Sequence, residues 1–327
     1  MVVRLLPSRT IRATLTSCAA RQLFFSPAQS VSVQRFRVSL ILALFAAVAA
    51  TVLAVPPAFG QKNKKPEEPK ADLVRTITRH ETHRLPYGGT VSIVGAPAGS
   101  ITIEGWDRSE IDVAAEIELH GPTNADLDLL ATVNNFVVDV DTIHVRILTS
   151  GTHDKKYMQA VAKKFPKNLF GLPWKVDFHI KMPALTDIEI DAGVGPLKLS
   201  GVEGAMRVNA LQSDAELTLT GGYFSGIIQR GTVTLTVPVR SWHGLGMSLQ
   251  LAGGTLDVGL ASGFSGDIGA TVLRLGEIKN TYDGLAPLEG GAANPRLLEG
   301  RAGSGGAKLS FTVGDGTITI RQLSGDK

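Results

Sequence analysis

The chain has 327 residues, with 33 Lys and Arg against 30 Asp and Glu for a formal net charge of +3, and one cysteine. The positive surplus is confined to residues 1–60, which hold six arginines, no lysine and no acid; the remainder carries 27 basic residues against 30 acidic, a net charge of −3. An acidic remainder has no electrostatic motive to bind nucleic acid. Cys18 falls in the first 60 residues, so beyond them disulfides, a thiol nucleophile and thiolate metal ligands are excluded.

Residues 1–60 read as a secretory signal peptide. A long arginine-rich segment leads into an apolar run over 38–55, interrupted only by Ser39 and Thr51, and Ala58 and Gly60 then provide a small-x-small processing site. Two alternatives stay open: the run is long enough to remain in the bilayer as a tether, and translation could start downstream of Met1. Residues 61–72, charged and containing Pro66 and Pro69, read as a flexible linker. Residues 73–327 read as a single all-β domain, and about 250 residues suffice for one sizeable core.

Strand patterns dominate that domain. His80 and His83 sit in Arg79-His-Glu-Thr-His-Arg84, which alternates as a strand and sends the two rings to opposite faces, so a zinc pair is not expected. From Glu110 to Leu119, Ile111, Val113, Ala115, Ile117 and Leu119 share one face, the period of a half-buried strand. Residues 123–133 are expected to form a short helix capped by Asn124, with Leu127 and Leu130 inward. Ile143, Val145 and Ile147 give another strand, as do Val176, Phe178, Ile180 and Met182.

Between these two strands lies the most informative polar stretch. Lys155, Lys156, Lys163, Lys164 and Lys167 face one acid, Asp154, while Tyr157, Val161 and Phe165 recur at helical spacing. With Phe170 and Trp174 following, the segment reads as a basic amphipathic helix with aromatic neighbours. Two roles suit it: a surface for anionic lipid or acidic glycan, or a cover over the end of the fold with its lysines in water.

Composition shifts near residue 190. Of 36 glycines, 26 lie between Gly193 and Gly316. A short phrase, two apolar residues around a polar one and then glycine after another polar residue, recurs as Ile101/Ile103/Gly105, Leu197/Leu199/Gly201, Leu217/Leu219/Gly221 and Leu249/Leu251/Gly253; Ile318/Ile320 keeps the apolar pair. The middle copies are 20 residues apart, an offset shared by Val208 and Ile228. Such self-similarity predicts stacked strands closed by glycine corners. The fold class is therefore all-β: a β-solenoid or β-helix-like repeat domain, with a β-sandwich-like N-terminal part and one short amphipathic helix insert. An antiparallel sandwich with glycine-rich turns is the competing architecture.

These phrases, in their order, resemble a large bacterial family of exported domains known as putative adhesins, whose function is unassigned. Gly99-Ser-Ile-Thr-Ile-Glu-Gly-Trp-Asp-Arg-Ser-Glu-Ile-Asp-Val is similar to that family's opening segment, and the later Leu-x-Leu-x-Gly units and the closing Gly-Asp-Gly-Thr-Ile-Thr-Ile to its repetitive half. The resemblance covers most of 73–327; segment 151–174 is its least typical part. It implies an envelope-exposed, solenoid-like domain and supplies no catalytic residues.

Asp187, Glu189 and Asp191 alternate with Ile188 and Ile190, which puts three carboxylates on one strand face about 7 Å apart. They are the only metal candidate, for calcium through hard oxygen ligands, or an acid/base pair on a glycan; alternation alone also explains them as a solvated face. Nucleophile-elbow, phosphate-loop, dinucleotide and zinc-protease motifs are absent from the sequence. The expectation is a non-enzymatic exported protein, in the periplasm or at the cell surface, with no cofactor, binding glycan or an envelope protein and not nucleic acid. The alternatives are a periplasmic or membrane-tethered sensing or scaffolding module and a polysaccharide-active enzyme. Lys155, Lys156, Lys163, Lys164, Lys167 and Trp174 are the candidate anionic-ligand surface.

Overall fold

A computed structural model describes residues 73–162, 164–287 and 294–324; the expected signal peptide and linker lie outside them. In chain order the strands are β1 (Leu73–Arg84), β2 (Thr90–Val94), β3 (Ile101–Trp106) and β4 (Glu110–Gly121), then helix α1 (Asn124–Val133). Next come β5 (Asn135–Val140), β6 (His144–Ser150), helix α2 (Lys155–Val161) and β7 (Trp174–Pro183). The glycine-rich half supplies β8 (Asp187–Val194), β9 (Leu197–Ser200), β10 (Ala205–Gln212), β11 (Ala215–Thr218), β12 (Gly221–Val237) and β13 (His243–Leu260). The last strands are β14 (Gly266–Val272), β15 (Gly276–Asn280), β16 (Leu285–Pro287), β17 (Leu297–Ala302) and β18 (Lys308–Gln322). All of them join one 18-stranded sheet, nearly closed and barrel-like.

Most of the sheet is two parallel ladders. In the first, Ile188 of β8, Met206 of β10, Phe224 of β12, Met247 of β13 and Leu309 of β18 are cross-strand partners. In the second, Leu197 of β9, Ala215 of β11, Val233, Leu256 and Ile318 align in the same way. Every one of these side chains is buried. Alternation along each strand sends their neighbours outward, so the inward rows form a continuous apolar interior.

The register corrects the repeat length. Ile188 to Met206 to Phe224, and Leu197 to Ala215 to Val233, advance by 18 residues and not 20. Leu217 therefore pairs with Leu199 and not Leu197, and Ile228 with Ala210 and not Val208. A two-residue slip preserves the alternation of faces, so the sequence phrase alone could not choose between the two registers. At the level of the whole sheet, the expected solenoid gives way to a barrel-like arrangement in which the repeats are parallel neighbours.

The N-terminal part is not a separate sandwich. β2 pairs in parallel with β8 and β6, and β3 with β9 and β7, so both strands extend the ladders of the repetitive half. Ile101 and Ile103 stand opposite Leu197 and Leu199, which places the first copy of the phrase in register with the second. Antiparallel pairing in this half is limited to β4 with β1 and β7, and β5 with β6. The expected inward faces of β4 and β7 are buried throughout, whereas Ile143 precedes β6 and is exposed. The α1 cap is Thr123, whose Oγ1 accepts from the Asp126 amide, and not Asn124; Leu127 and Leu130 do point inward.

Where the chain turns between the ladders, glycines stack on glycines. Gly231, Gly254, Gly316 and Gly276 are successive cross-strand partners, with φ of +136°, +139°, +146° and +124°. A Cβ on Gly254 would lie 1.9 Å from the Gly231 carbonyl oxygen, and one on Gly316 would lie 1.7 Å from that of Gly254. No side chain fits there, and the backbone angle itself disfavours any residue but glycine.

Replacing Gly254 by alanine should cost about 3 kcal/mol or more, combining strain at positive φ with a backbone clash; denaturant unfolding measures it, and a loss below ~1 kcal/mol would contradict the close stacking. Ser213 precedes Gly231 in the same corner column. It is 2 % exposed, and its Oγ has no hydrogen-bond partner among the described residues. Ser213→Ala is therefore expected to stabilise the domain by about 1 kcal/mol, since it removes an unpaired buried hydroxyl.

Candidate functional site

The lysine-rich segment between β6 and β7 departs from the strands. Asp154 caps α2: its Oδ1 accepts from the amides of Lys156 at 2.8 Å and Tyr157 at 3.0 Å. These two bonds, Tyr157 first, hold the Asp154 carboxyl below its ordinary pKa. The helix is shorter than the spacing predicts and ends at Val161, with Ala162 as C-cap. Its inward residue is Met158, 3 % exposed, whereas Val161 is 57 % exposed and Tyr157 half-buried. Phe165 lies past the helix and meets Phe170 edge-on, ring centroids 5.4 Å apart. Leu169, fully buried, anchors the return to β7.

A second tether runs from the end of α1. Asn134 is buried, and its Oδ1 accepts from the Thr152 amide at 2.8 Å. Gly151 passes so close that a Cβ there would be 2.4 Å from Asn134 Oδ1 and 2.6 Å from the Trp174 ring. Trp174 is the correction to the expected surface. It is 8 % exposed, and its indole packs against the core and against His153, with centroids 5.3 Å apart, so it braces the insert and does not face a ligand. Partial burial desolvates His153 and lowers its pKa, in spite of the Asp154 charge beside it.

Two open cavities flank the insert and share Ala162 and Phe165. The first, about 660 Å³, has Met158, Ala162, Phe165 and Phe170 as its apolar wall and Lys155 and Lys167 at its border. The second, about 730 Å³, runs between the helices, with Leu129 and Val133 of α1 facing Val161, Phe165 and Pro166, and with Lys164 alongside. No acidic residue lines either. Lys156 is exposed but borders neither cavity, and Lys163 lies outside the described residues. The contribution of α1 escapes sequence reasoning, because Leu129 differs from its core neighbours Leu127 and Leu130 only in facing outward once the two helices are brought together.

The carboxylate row behaves differently. Asp187, Glu189 and Asp191 do share the outer face of β8, with Ile188 and Ile190 buried behind them. Each is engaged by the next strand: Asp187 accepts from the Ala205 amide at 2.7 Å, Glu189 from Arg207 at 3.0 Å and Asp191 from Asn209 Nδ2 at 2.9 Å. Among the described residues no group of three His, Cys, Asp or Glu side chains is placed to hold a metal ion. His80 and His83 point to opposite faces of β1, His80 bonded to Asp112 and His83 to Glu81. No helix among the described residues is long and apolar enough to cross a membrane.

No protein-family model and no curated protein matches the sequence. Among solved structures, a putative cell adhesion protein from Clostridium sporogenes aligns at 10 % identity and TM-score 0.38, over 76 % of this chain and all of that one. A putative adhesin from Bacteroides fragilis aligns at 12 % and 0.27, and a putative lipid binding protein from Parabacteroides distasonis at 10 % and 0.26. Each of these two covers 76 % of this chain and 97 % of its own. The first two bear the adhesin description that the sequence resemblance implied.

The His153–Trp174 contact makes a pH prediction. A histidine whose folded pKa is lowered contributes stability that is present above its unfolded value, near 6.5, and is lost as pH falls through the folded value. Trp174 emission should therefore change on acidification with a midpoint below 6.5, and His153→Gln should abolish that step. A midpoint above 6.5 would refute the desolvation.

Proposed function

We propose that this chain is an exported, non-enzymatic envelope protein in which a rigid β scaffold over residues 73–327 presents the lysine-bordered insert to an anionic partner. Export follows from residues 1–60 read as a signal peptide, with the periplasm or cell surface as the compartment. The repeats pair in parallel at an 18-residue register within one barrel-like sheet, and the insert leaves and rejoins that sheet at β6 and β7.

One observation carries the reading. Lys155, Lys164 and Lys167 converge on apolar cavities that no carboxylate lines, while the carboxylates on β8 are each paired across the sheet. Unpaired cations beside an apolar surface attract and retain anions with a nonpolar part. The β8 carboxylates are not grouped with a third acid or histidine that could complete a metal site among the described residues, and each is held by a partner on β10, which weighs against calcium and glycan hydrolysis alike.

The combined variant Lys155→Glu, Lys164→Glu and Lys167→Glu should lose about a hundredfold of the binding to anionic liposomes or acidic polysaccharide, at ~1 kcal/mol per lysine near an anionic surface. Asp187→Asn with Glu189→Gln and Asp191→Asn should leave that binding unchanged. Equal loss in both variants, or none in the lysine variant, would refute the assignment of the insert.

A further inference from the structure

Resting on that reading, we infer that the insert's occupant is a single-chain anionic amphiphile, a long acyl chain ending in a carboxylate, seated in the cavity walled by Met158, Phe165 and Phe170 with its head beside Lys155 and Lys167. Shape is the first argument. The cavity that Lys155 and Lys167 border, about 660 Å³, is within the ~300–1,000 Å³ of small-molecule sites and has room for one acyl chain. A cavity of this kind encloses an apolar chain, whereas a segment that lies on a bilayer sinks its own apolar face into the headgroup boundary.

Lining chemistry is the second argument. Apart from Lys155 and Lys167, the polar residues of the first cavity are Thr152 and Gln159, and the rest is aliphatic or aromatic. A glycan needs hydrogen-bond partners along its whole length, and this wall cannot supply them. An acyl chain needs none. Position is the third argument: both lysines border the same cavity, so a chain entering there places its terminal anion beside them and its methylenes along Met158, Phe165 and Phe170. The insert that walls the cavity is fixed to the fold by the Asn134–Thr152 hydrogen bond and by the buried Met158 and Leu169.

The test uses the full chain, titrated with saturated fatty acids of ten to sixteen carbons below their micelle thresholds and with the matching methyl esters, alongside anionic vesicles and an acidic polysaccharide. One acid should bind per chain, with affinity rising about fourfold per added methylene until the cavity is filled. Each ester should bind at least tenfold more weakly than its acid. Lys155→Gln with Lys167→Gln, both exposed and so without consequence for folding, should erase the acid–ester difference and keep the chain-length dependence. Ala162→Phe, checked by its unchanged unfolding midpoint, should cap the chain length that still gains affinity. Binding without chain-length dependence, or an acid–ester difference that survives the lysine changes, would overturn the inference. Vesicle or polysaccharide binding that depends on the lysines, with no binding of free acid, would overturn it and leave the anionic-surface reading standing. No binding of any probe would overturn both.

Discussion

The column of glycines at the corner between the two ladders is the constraint on which the rest of the structure depends. Parallel strands repeat at ~4.8 Å, and a chain that bends at that spacing brings one carbonyl against the next α-carbon. At Gly231, Gly254, Gly316 and Gly276 the approach is too close for any side chain. Only because the corner is this tight can both flanking segments stay in register, Phe224 with Met247 on one side and Val233 with Leu256 on the other. The same column reaches the N-terminal half, where a Cβ on Gly195 would meet the Gly99 carbonyl oxygen at 2.0 Å. The corners thus unite two stretches of different composition in one sheet.

What the corners make possible is an interior built from rows. Ile103, Leu199, Leu217, Leu235, Val258 and Ile320 lie side by side across consecutive strands and are all buried. A row of this kind needs no precise interlocking between distant segments, since each strand repeats the solution of its neighbour. Outward positions satisfy one another across strands in the same way, as Glu189 does with Arg207 and Lys198 with Glu216. Exposed pairs of this type contribute little stability.

The insert between β6 and β7 has the opposite character. It repeats nothing, and its apolar residues are divided between anchors such as Met158 and Leu169, which are buried, and wall residues such as Val161 and Phe170, which are not. Lys155, Lys164 and Lys167 have no acidic partner among the described residues lining the cavities they border. Much of this was legible beforehand: the lysine cluster, the single acid Asp154 as a cap, and the aromatic neighbours all follow from spacing and type. Trp174 was misassigned because a tryptophan after a basic helix reads as a surface anchor, whereas here it is the first residue of β7 and faces the core. The helix was drawn too long because Tyr157, Val161 and Phe165 keep helical spacing across Ala162, where the chain leaves the helix.

Sequence by itself determined the all-β class, the inward faces of β4 and β7, the glycine corners and the basic character of the insert, because alternation, positive-φ demand and charge are local properties of a few residues. Tertiary structure alone decided the 18-residue register, the merging of β2 and β3 with the repetitive half, the pairing of Asp187, Glu189 and Asp191 with the next strand, and the groove between α1 and α2. Slipping a strand by two residues leaves its faces unchanged, so register is chosen by the summed fit of whole rows and not by any one phrase. A groove between two helices exists only where their outward side chains meet, and no spacing within either helix records the distance between them.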